Sequence, residues 1–158
     1  MIGASPIARE RGMNGSDFFG AIPDATRARL PKPLQGFKVN RRSWLVQVYY
    51  TDPLLHYEAW DLGERRGRLE LGLHFESRRQ AENERLLIGF QSCLFEIKAE
   101  LGASIEAEQW DKGWAKVYEA IPRERFTPEY ADRVAARLAQ LIEVMQPIFD
   151  HVYKKPRK

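Results

Sequence analysis

The sequence predicts an α+β fold, in which an antiparallel five-stranded sheet carries two amphipathic helices on one face. Three observations predict this fold. Several segments alternate apolar and polar residues with the period of two that strands require. Two pairs of these segments are joined by three-residue links that end in glycine, as in many hairpins. Two longer segments repeat apolar residues with the period of a helix. The predicted order is β-β-β-α-β-β-α.

The first 42 residues are predicted to lie outside the domain, as a mobile basic arm and a connector. Residues 1–15 contain several glycines and no periodic pattern. Ser16 is expected to cap a short helical turn that ends at Pro23. Residues 31–42 contain two prolines and a glycine, which are typical of a connector. The single α+β domain is then expected over residues 43–153, and residues 154–158 form a basic tail.

The first three strands are predicted over residues 43–50, 55–64 and 68–76. The link Arg65-Arg66-Gly67 pairs Glu64 with Arg68 and thereby fixes the register of the hairpin. In that register Trp60 covers Gly72, and His56 lies opposite Glu76. Four apolar side chains then share one core face of the third strand, and a slip by one residue would expose them. They are Leu69, Leu71, Leu73 and Phe75.

A helix, a second hairpin and a last helix follow. Residues 77–80 have the pattern of a capping box, which predicts a helix to Leu101 with Gly102 as its stop. Residues 105–110 and 114–121 form the second hairpin, in which Trp110 faces Trp114. Thr127 and Pro128 are expected to open the final amphipathic helix. Pro147 should kink that helix or restart it.

Two His-x-Glu patterns lie in the first long hairpin, at residues 56–58 and 74–76. Positions i and i+2 of a strand share a face, so each histidine is expected opposite the glutamate of the other strand. Two imidazoles and two carboxylates could bind zinc or iron, or supply an acid and a base. The same groups could equally form ordinary cross-strand ion pairs or a pH-sensitive contact. The four residues are His56, Glu58, His74 and Glu76.

The same face of the predicted sheet carries an unusual number of large aromatic side chains. A face that only meets water should consist of polar residues. The aromatic residues therefore indicate a self-association or partner surface, local ring packing across the hairpins, or a platform for a small molecule. We name this surface the aromatic sheet face, formed by Trp60, Trp110, Trp114 and Tyr118.

Charge is unevenly distributed along the chain. Residues 1–42 have a net charge of +5, residues 43–153 of −6 and residues 154–158 of +4. Basic ends could keep an acidic body in solution, or could contact phosphate groups or nucleic acid. The tail has no aromatic residue that would suggest base stacking. Its basic residues are Lys154, Lys155, Arg157 and Lys158.

Composition and motifs exclude several classes of protein. The single cysteine, Cys93, cannot form an intrachain disulfide, and this favours a reducing, cytoplasmic location. No apolar run approaches the length of a membrane helix. The chain has no P-loop, dinucleotide-binding, zinc-protease or serine-hydrolase motif. The absence of a catalytic motif favours a binding role over catalysis.

The C-terminal half also carries a resemblance to a known family. Its features are the segment from Ile97 to Gly102, Trp110, the second hairpin, and a final amphipathic helix with Pro147 and Phe149 near its end. These features resemble an uncharacterised bacterial domain that often follows PD-(D/E)XK-type nuclease modules. The resemblance covers less than half of the chain and implies no catalytic residues. It implies an accessory or partner-binding role.

The sequence therefore predicts a non-catalytic binding or interaction module that forms a homodimer through the aromatic sheet face and needs no cofactor. A protein partner other than a second copy would use the same face. One alternative is a metal-dependent enzyme with a divalent transition metal on the two histidines and two glutamates. Another is a nucleic-acid adaptor that uses its basic termini.

Overall fold

A computed structural model describes residues 11–154, which form four helices and one six-stranded antiparallel sheet. The strand order across the sheet is β1-β2-β3-β4-β6-β5. The helices are α1 (Gly15–Ala28), α2 (Gln80–Gln91), α3 (Leu94–Leu101) and α4 (Pro128–Lys154). The strands are β1 (Lys38–Arg42), β2 (Leu45–Tyr49), β3 (Leu55–Asp61), β4 (Arg68–Phe75), β5 (Glu106–Trp110) and β6 (Trp114–Pro122).

The sheet confirms the α+β class but has six strands instead of the predicted five. The additional strand is β1, in a segment that we predicted to be a connector. A two-residue turn at Ser43 and Trp44 joins β1 to β2, where Arg42 pairs with Leu45. The predicted single strand over residues 43–50 therefore begins too early. The sequence gives no signal for β1 because all five residues of this strand are exposed. The strand therefore lacks the alternation of apolar and polar residues that indicates a half-buried strand.

Helix α1 and β1 also place residues 15–42 within the folded body. The predicted short turn is a 14-residue helix capped by Asn14, whose side chain accepts a hydrogen bond from the Asp17 amide. Pro23 lies inside the helix and does not end it. The buried side chains of Phe18 and Phe19 anchor α1 to the core, and this packing outweighs the local preference. The predicted mobile arm falls largely on residues 1–10, outside the described residues.

The register of the β3–β4 hairpin differs from the prediction by two residues. The loop is longer than Arg65-Arg66-Gly67, because the Leu62 amide already donates to the Arg68 carbonyl at 3.1 Å. His56 consequently pairs with His74, and Trp60 pairs with Glu70 instead of covering Gly72. A shift by an even number of residues keeps each side chain on its face. The four predicted core residues of β4 are therefore buried.

The segment 77–101 contains two helices, and the predicted capping box is wrong. Residue Arg79 is the N-cap of α2, and the Ser77 hydroxyl accepts a hydrogen bond from the Arg79 amide at 3.1 Å. The helical conformation is interrupted between α2 and α3, where the Ser92 hydroxyl donates to the Gly89 carbonyl at 2.7 Å. This side-chain bond offers the backbone an alternative to continued helix.

The second hairpin and the last helix agree with their predictions. Trp110 pairs with Trp114, and the loop between β5 and β6 includes the only non-glycine residue with a positive φ among the described residues, Lys112. The Thr127 hydroxyl caps α4 by accepting from the Tyr130 amide at 3.1 Å. The expected restart at Pro147 does not occur, since α4 is one helix through this residue to Lys154.

The core lies between the helices and one face of the sheet. Alternate residues of β2, β3, β4 and β6 provide the apolar side chains of this face. The Tyr57 hydroxyl of β3 also donates to the Gln146 side chain of α4 at 2.8 Å. Side chains at the intervening positions of the strands, including the two His-x-Glu patterns, occupy the other face. Within residues 11–154, no helix is long and apolar enough to cross a membrane.

Candidate metal centre

Strands β3 and β4 bring the four predicted ligand residues together. Residues two apart on one strand share a face, and the pairing of His56 with His74 aligns the two His-x-Glu patterns side by side. One nitrogen or oxygen from each side chain can be chosen so that all four atoms lie within 4.8 Å of one another. The set consists of His56, Glu58, His74 and Glu76. We name it the His–Glu cluster.

The His–Glu cluster is buried although it lies on the sheet face opposite the helices. Both histidines are only 1% exposed, and Glu58 is 4% exposed. The Trp110 ring packs edge-on against the His74 ring at a centroid distance of 5.6 Å. Trp60 in turn contacts Trp110 at 6.2 Å. Burial of ionisable groups costs free energy unless each group is paired, so the partners of these side chains determine their chemistry.

The His56 ring is oriented by a backbone carbonyl. Its Nδ1 lies 2.8 Å from the Pro53 carbonyl oxygen, which only accepts, so Nδ1 carries a proton and donates. The other nitrogen, Nε2, lies 2.9 Å from Oε1 of Glu58. A deprotonated ring nitrogen and a carboxylate oxygen are both acceptors. A proton on Nε2 or a cation between the two atoms makes this contact favourable, and the side-chain nitrogen of Gln47 also lies 3.1 Å from Nε2.

The His74 ring lies between two carboxylates. Nδ1 is 3.1 Å from Oε2 of Glu76, and Nε2 is 2.9 Å from Oε2 of Glu70. Burial alone would lower the pKa of His74. Hydrogen bonds to Glu70 and Glu76 and the charge of Glu58 outweigh burial and raise this pKa to about 9.

The pKa of Glu58 is lowered. Burial raises the pKa of this carboxyl. The hydrogen bond from His56, the charges of both histidines and a hydrogen bond from the Gln47 side chain together outweigh burial and lower this pKa. The side-chain nitrogen Nε2 of Gln47 lies 3.2 Å from Oε1 of Glu58. The carboxylate form of Glu58 is thus stabilised by the groups around it.

Two charged residues extend the cluster beyond the residues that the sequence pointed to. Glu70 reaches His74 with one oxygen, and its other oxygen accepts from Nζ of Lys116 at 2.8 Å. Lys116 also lies over the Trp110 ring at 4.8 Å and the Tyr118 ring at 4.1 Å. Both residues are buried. Their even-numbered positions place them on this face, but Glu70 lies four residues from His74 on the same strand, a contact that the spacing of two in the His-x-Glu patterns does not predict.

Charge balance restricts the states that this buried group can adopt. Three carboxylates, of Glu58, Glu70 and Glu76, face one permanent cation, Lys116. The group is electrically neutral if both imidazoles are protonated. It is equally neutral if both imidazoles are neutral and one divalent cation lies among them. A buried group favours a neutral state because an uncompensated charge is expensive in a medium of low dielectric constant.

The aromatic sheet face forms one continuous group of side chains. Trp60, Trp110 and Trp114 contact one another in sequence, and all three rings are partly buried. The Tyr118 hydroxyl donates to Glu108 of the neighbouring strand β5. The buried Nε1 of Trp110 has no hydrogen-bond partner among the described residues. The Trp110 ring thus packs against His74 of the His–Glu cluster as well as against the other two tryptophans.

Of the predicted basic tail, only Lys154 is among the described residues. Lys154 is the exposed last residue of α4. The other predicted tail residues, Lys155, Arg157 and Lys158, lie outside the described residues.

Comparison with known proteins gives no match, whether to a family model, to a curated protein or to a solved structure. The resemblance of the C-terminal half to a domain that follows nuclease modules therefore stays a prediction.

Proposed function

We propose that the protein is a metal-binding module that holds one divalent transition-metal ion between β3 and β4. The ligands would be the two imidazoles and two carboxylates of the His–Glu cluster. Zinc accepts such a mixed set of nitrogen and oxygen ligands, and iron and manganese accept it as well. The ion would join the two central strands through side chains, in addition to the backbone hydrogen bonds between them.

The orientation of the two histidines carries this proposal. Metal-bound histidines usually donate their second ring N–H to a carbonyl or carboxylate, which fixes the ring. Here the Pro53 carbonyl accepts from one nitrogen of His56, and Glu70 lies beside one nitrogen of His74. The remaining nitrogen of each ring faces a carboxylate, Glu58 or Glu76. Lys116 holds Glu70 in turn, so both rings have the supporting contacts of ligands.

Distances and charge also support the proposal. Ligand atoms around one ion with bonds of about 2.1 Å lie no more than about 4.2 Å apart. The largest separation in the His–Glu cluster, 4.8 Å, exceeds this limit by an amount that small side-chain rotations remove. A divalent ion would leave the buried group neutral, with both histidines in the neutral form that binds metals.

The surroundings favour a structural ion over a catalytic one. A catalytic ion keeps an open position for water or substrate, whereas a structural ion is enclosed by its ligands. Three of the four ligands are almost fully buried, and only the Glu76 side chain, at 17% exposure, has appreciable contact with solvent. The partly buried Trp110 packs against His74, and this contact supports a structural ion more directly than it supports the predicted homodimer.

Metal analysis and thermal unfolding test the proposal. The chain is purified without an affinity tag that binds metal, and its zinc, iron and manganese are counted by mass spectrometry. It is then stripped with a chelator and titrated with Zn²⁺. At a hundredfold excess over Kd, binding should stabilise the fold by about 2.7 kcal/mol. For a chain of this size, that raises Tm by about 5–11 °C.

Two variants make the test specific to the cluster. Glu76→Gln removes a ligand at the least buried of the four positions, so the fold should be retained while the Zn²⁺-dependent rise in Tm is lost. His151→Ala removes an exposed histidine of α4 outside the cluster and should leave the rise unchanged. The proposal fails if stripped protein gains no stability from Zn²⁺, Fe²⁺ or Mn²⁺. It also fails if Glu76→Gln responds like the unaltered protein, because Zn²⁺ then binds elsewhere.

A further inference from the structure

A second candidate site lies at the end of the sheet where the β1–β2 turn and the β3–β4 loop meet. The Trp44 carbonyl of the β1–β2 turn accepts from the Asp61 amide at 2.9 Å, at the start of the β3–β4 loop. The Gly67 carbonyl at the end of that loop accepts from the Arg123 amide at 2.8 Å, just after β6. These contacts bring three separate loops together. We name the surface that they form the arginine end.

The segment before α1 joins the same surface. The Met13 amide donates to the Phe126 carbonyl at 2.8 Å, and Gly12 packs beside the Arg125 side chain. The backbone at Gly15 lies so close to Ser43 that an added Cβ would stand 2.1 Å from the Ser43 carbonyl oxygen. The start of α1 is therefore fixed against the β1–β2 turn.

The arginine end is strongly basic, and most of its charge is unpaired. Arg123 forms a two-point ion pair with Asp61, at 2.8 and 3.0 Å. Six further arginines are exposed, and none of them has a carboxylate partner among residues 11–154. Such a patch attracts polyanions and repels other cations. The six residues are Arg11, Arg42, Arg65, Arg66, Arg68 and Arg125.

An exposed tryptophan lies among these arginines. Trp44 is 51% exposed, while the other three tryptophans of the chain are partly buried in the aromatic sheet face. A large aromatic side chain at the tip of a two-residue turn contributes little to a core. It lies two residues after Arg42, in a turn whose backbone bonds to Asp61 at the end of β3, so the arginine end offers exposed guanidinium groups and an exposed ring, the two elements of a base-stacking site.

We propose that the arginine end binds single-stranded nucleic acid. Its guanidinium groups would pair with successive phosphates, for which their planar, two-pronged geometry is suited. The Trp44 ring would stack on an unpaired base. A duplex offers no free base face, and an anionic membrane offers no base, so the combination favours a single strand over both. This binding site shares Arg11 and Arg42 with the basic N-terminal segment that the sequence predicted, but its other arginines come from the β3–β4 hairpin and from the segment after β6, and it does not use the basic tail.

Fluorescence anisotropy with a labelled oligothymidine of about 20 nucleotides tests the proposal on the full chain. Kd is measured at several salt concentrations between about 50 and 200 mM. The variant Arg65→Ala/Arg66→Ala should bind more weakly, and its salt slope should fall by about 1.4 if each arginine meets one phosphate. Trp44→Ala should weaken binding by about 5- to 150-fold without changing the slope, since stacking releases no counterions.

Two controls separate the arginine end from general basic charge. Arg78→Ala/Lys112→Ala removes two exposed charges at the opposite end of the sheet and should leave Kd within twofold. Deletion of residues 155–158 should also leave Kd nearly unchanged, because α4 begins beside the arginine end and extends about 40 Å away from it.

Several results would overturn the proposal. No binding to the oligothymidine at the lowest salt concentration would remove it. Equal losses of affinity in the two double variants, or a large loss of affinity on deletion of the tail, would show that binding depends on the overall basic charge of the chain and not on the arginine end. Binding to vesicles that contain phosphatidylserine, with none to the oligonucleotide, would assign the arginine end to membranes instead. Circular dichroism of each variant confirms that the fold is retained.

Discussion

Gly72 in the middle of β4 should be the least replaceable glycine of the sheet. It pairs with Glu58 on one side and with Tyr118 on the other. A Cβ added there would lie 2.5 Å from the Cβ of Tyr118 and 2.5 Å from the carbonyl oxygen of Val117. The first of these contacts is about 1 Å shorter than a comfortable carbon–carbon contact. Gly72→Ala must therefore separate β4 from β6 or twist their pairing.

The cost of this change follows from two opposing effects. Overpacking of a well-filled site destabilises by about 1–3 kcal/mol, and here the atoms that would have to move belong largely to backbone. Replacement of glycine by alanine in a strand recovers about 0.5–1 kcal/mol of conformational entropy. Because the clash is largely with backbone, we expect Gly72→Ala to lower the free energy of unfolding by about 1–2 kcal/mol, which corresponds to about 2–8 °C in Tm for a chain of this size.

Urea unfolding followed by circular dichroism measures this effect, and Gly36→Ala provides the matched control. Gly36 has no heavy atom within 4 Å of an added Cβ and does not have a left-handed backbone. Its replacement should be neutral or stabilise by up to about 1 kcal/mol. Surface substitutions usually change the free energy of unfolding by no more than about 0.5 kcal/mol. If the free energy of unfolding of Gly72→Ala lies that close to the value of the unaltered protein, the close approach of β4 and β6 does not require glycine.

Three further predictions concern other parts of the molecule. Thr127→Ala should cost about 1 kcal/mol in urea unfolding because it removes the α4 cap, whereas Thr127→Ser should keep it. Burial raises the pKa of Asp61, but the hydrogen bond and charge of Arg123 and the Gly63 amide lower it overall. The Asp61–Arg123 ion pair therefore stabilises the fold fully above about pH 4, the ordinary pKa of an aspartate. This stabilisation is lost as pH falls through the lowered pKa of Asp61. The difference in urea midpoint between unaltered protein and Asp61→Asn should accordingly shrink from pH 7 to pH 3, and a constant difference would contradict this. The homodimer through the aromatic sheet face stays a prediction. Light scattering at tens of micromolar protein should give a mass in solution of twice the 18.4 kDa of one chain, and Trp60→Glu should reduce that mass to the mass of one chain.

The elements that could be predicted are those with strong local signals. The second hairpin has a three-residue loop between two tryptophans, and its observed register is the predicted one. The start of α4 follows from Thr127 and Pro128. By contrast, the signal for α1 was misleading, because Pro23 indicated an end that burial of Phe18 and Phe19 overrides. Tertiary packing of this kind is invisible to a local pattern.

Edge position and loop length account for the other differences. Strand β1 has a neighbour on one side only, so its side chains need not alternate, and its residues look like a polar connector. The β3–β4 loop was read from one glycine, Gly67, although Gly63 also has a positive φ and lengthens the turn. A single glycine fixes where a turn ends and does not fix how long it is.

The register of this hairpin decides how the candidate site should be interpreted. In the predicted register each histidine would lie opposite a glutamate, and two cross-strand ion pairs would satisfy all four side chains. In the structure His56 lies opposite His74, so both imidazoles occupy the centre. The shorter carboxylate contacts run along each strand, and the cross-strand contacts, at 3.5 and 3.9 Å, are longer. Two stacked rings at 5.6 Å would repel each other as cations. One divalent ion in place of the two protons would leave both rings neutral, so the two-residue shift that contradicts the predicted pairing favours the proposed metal site.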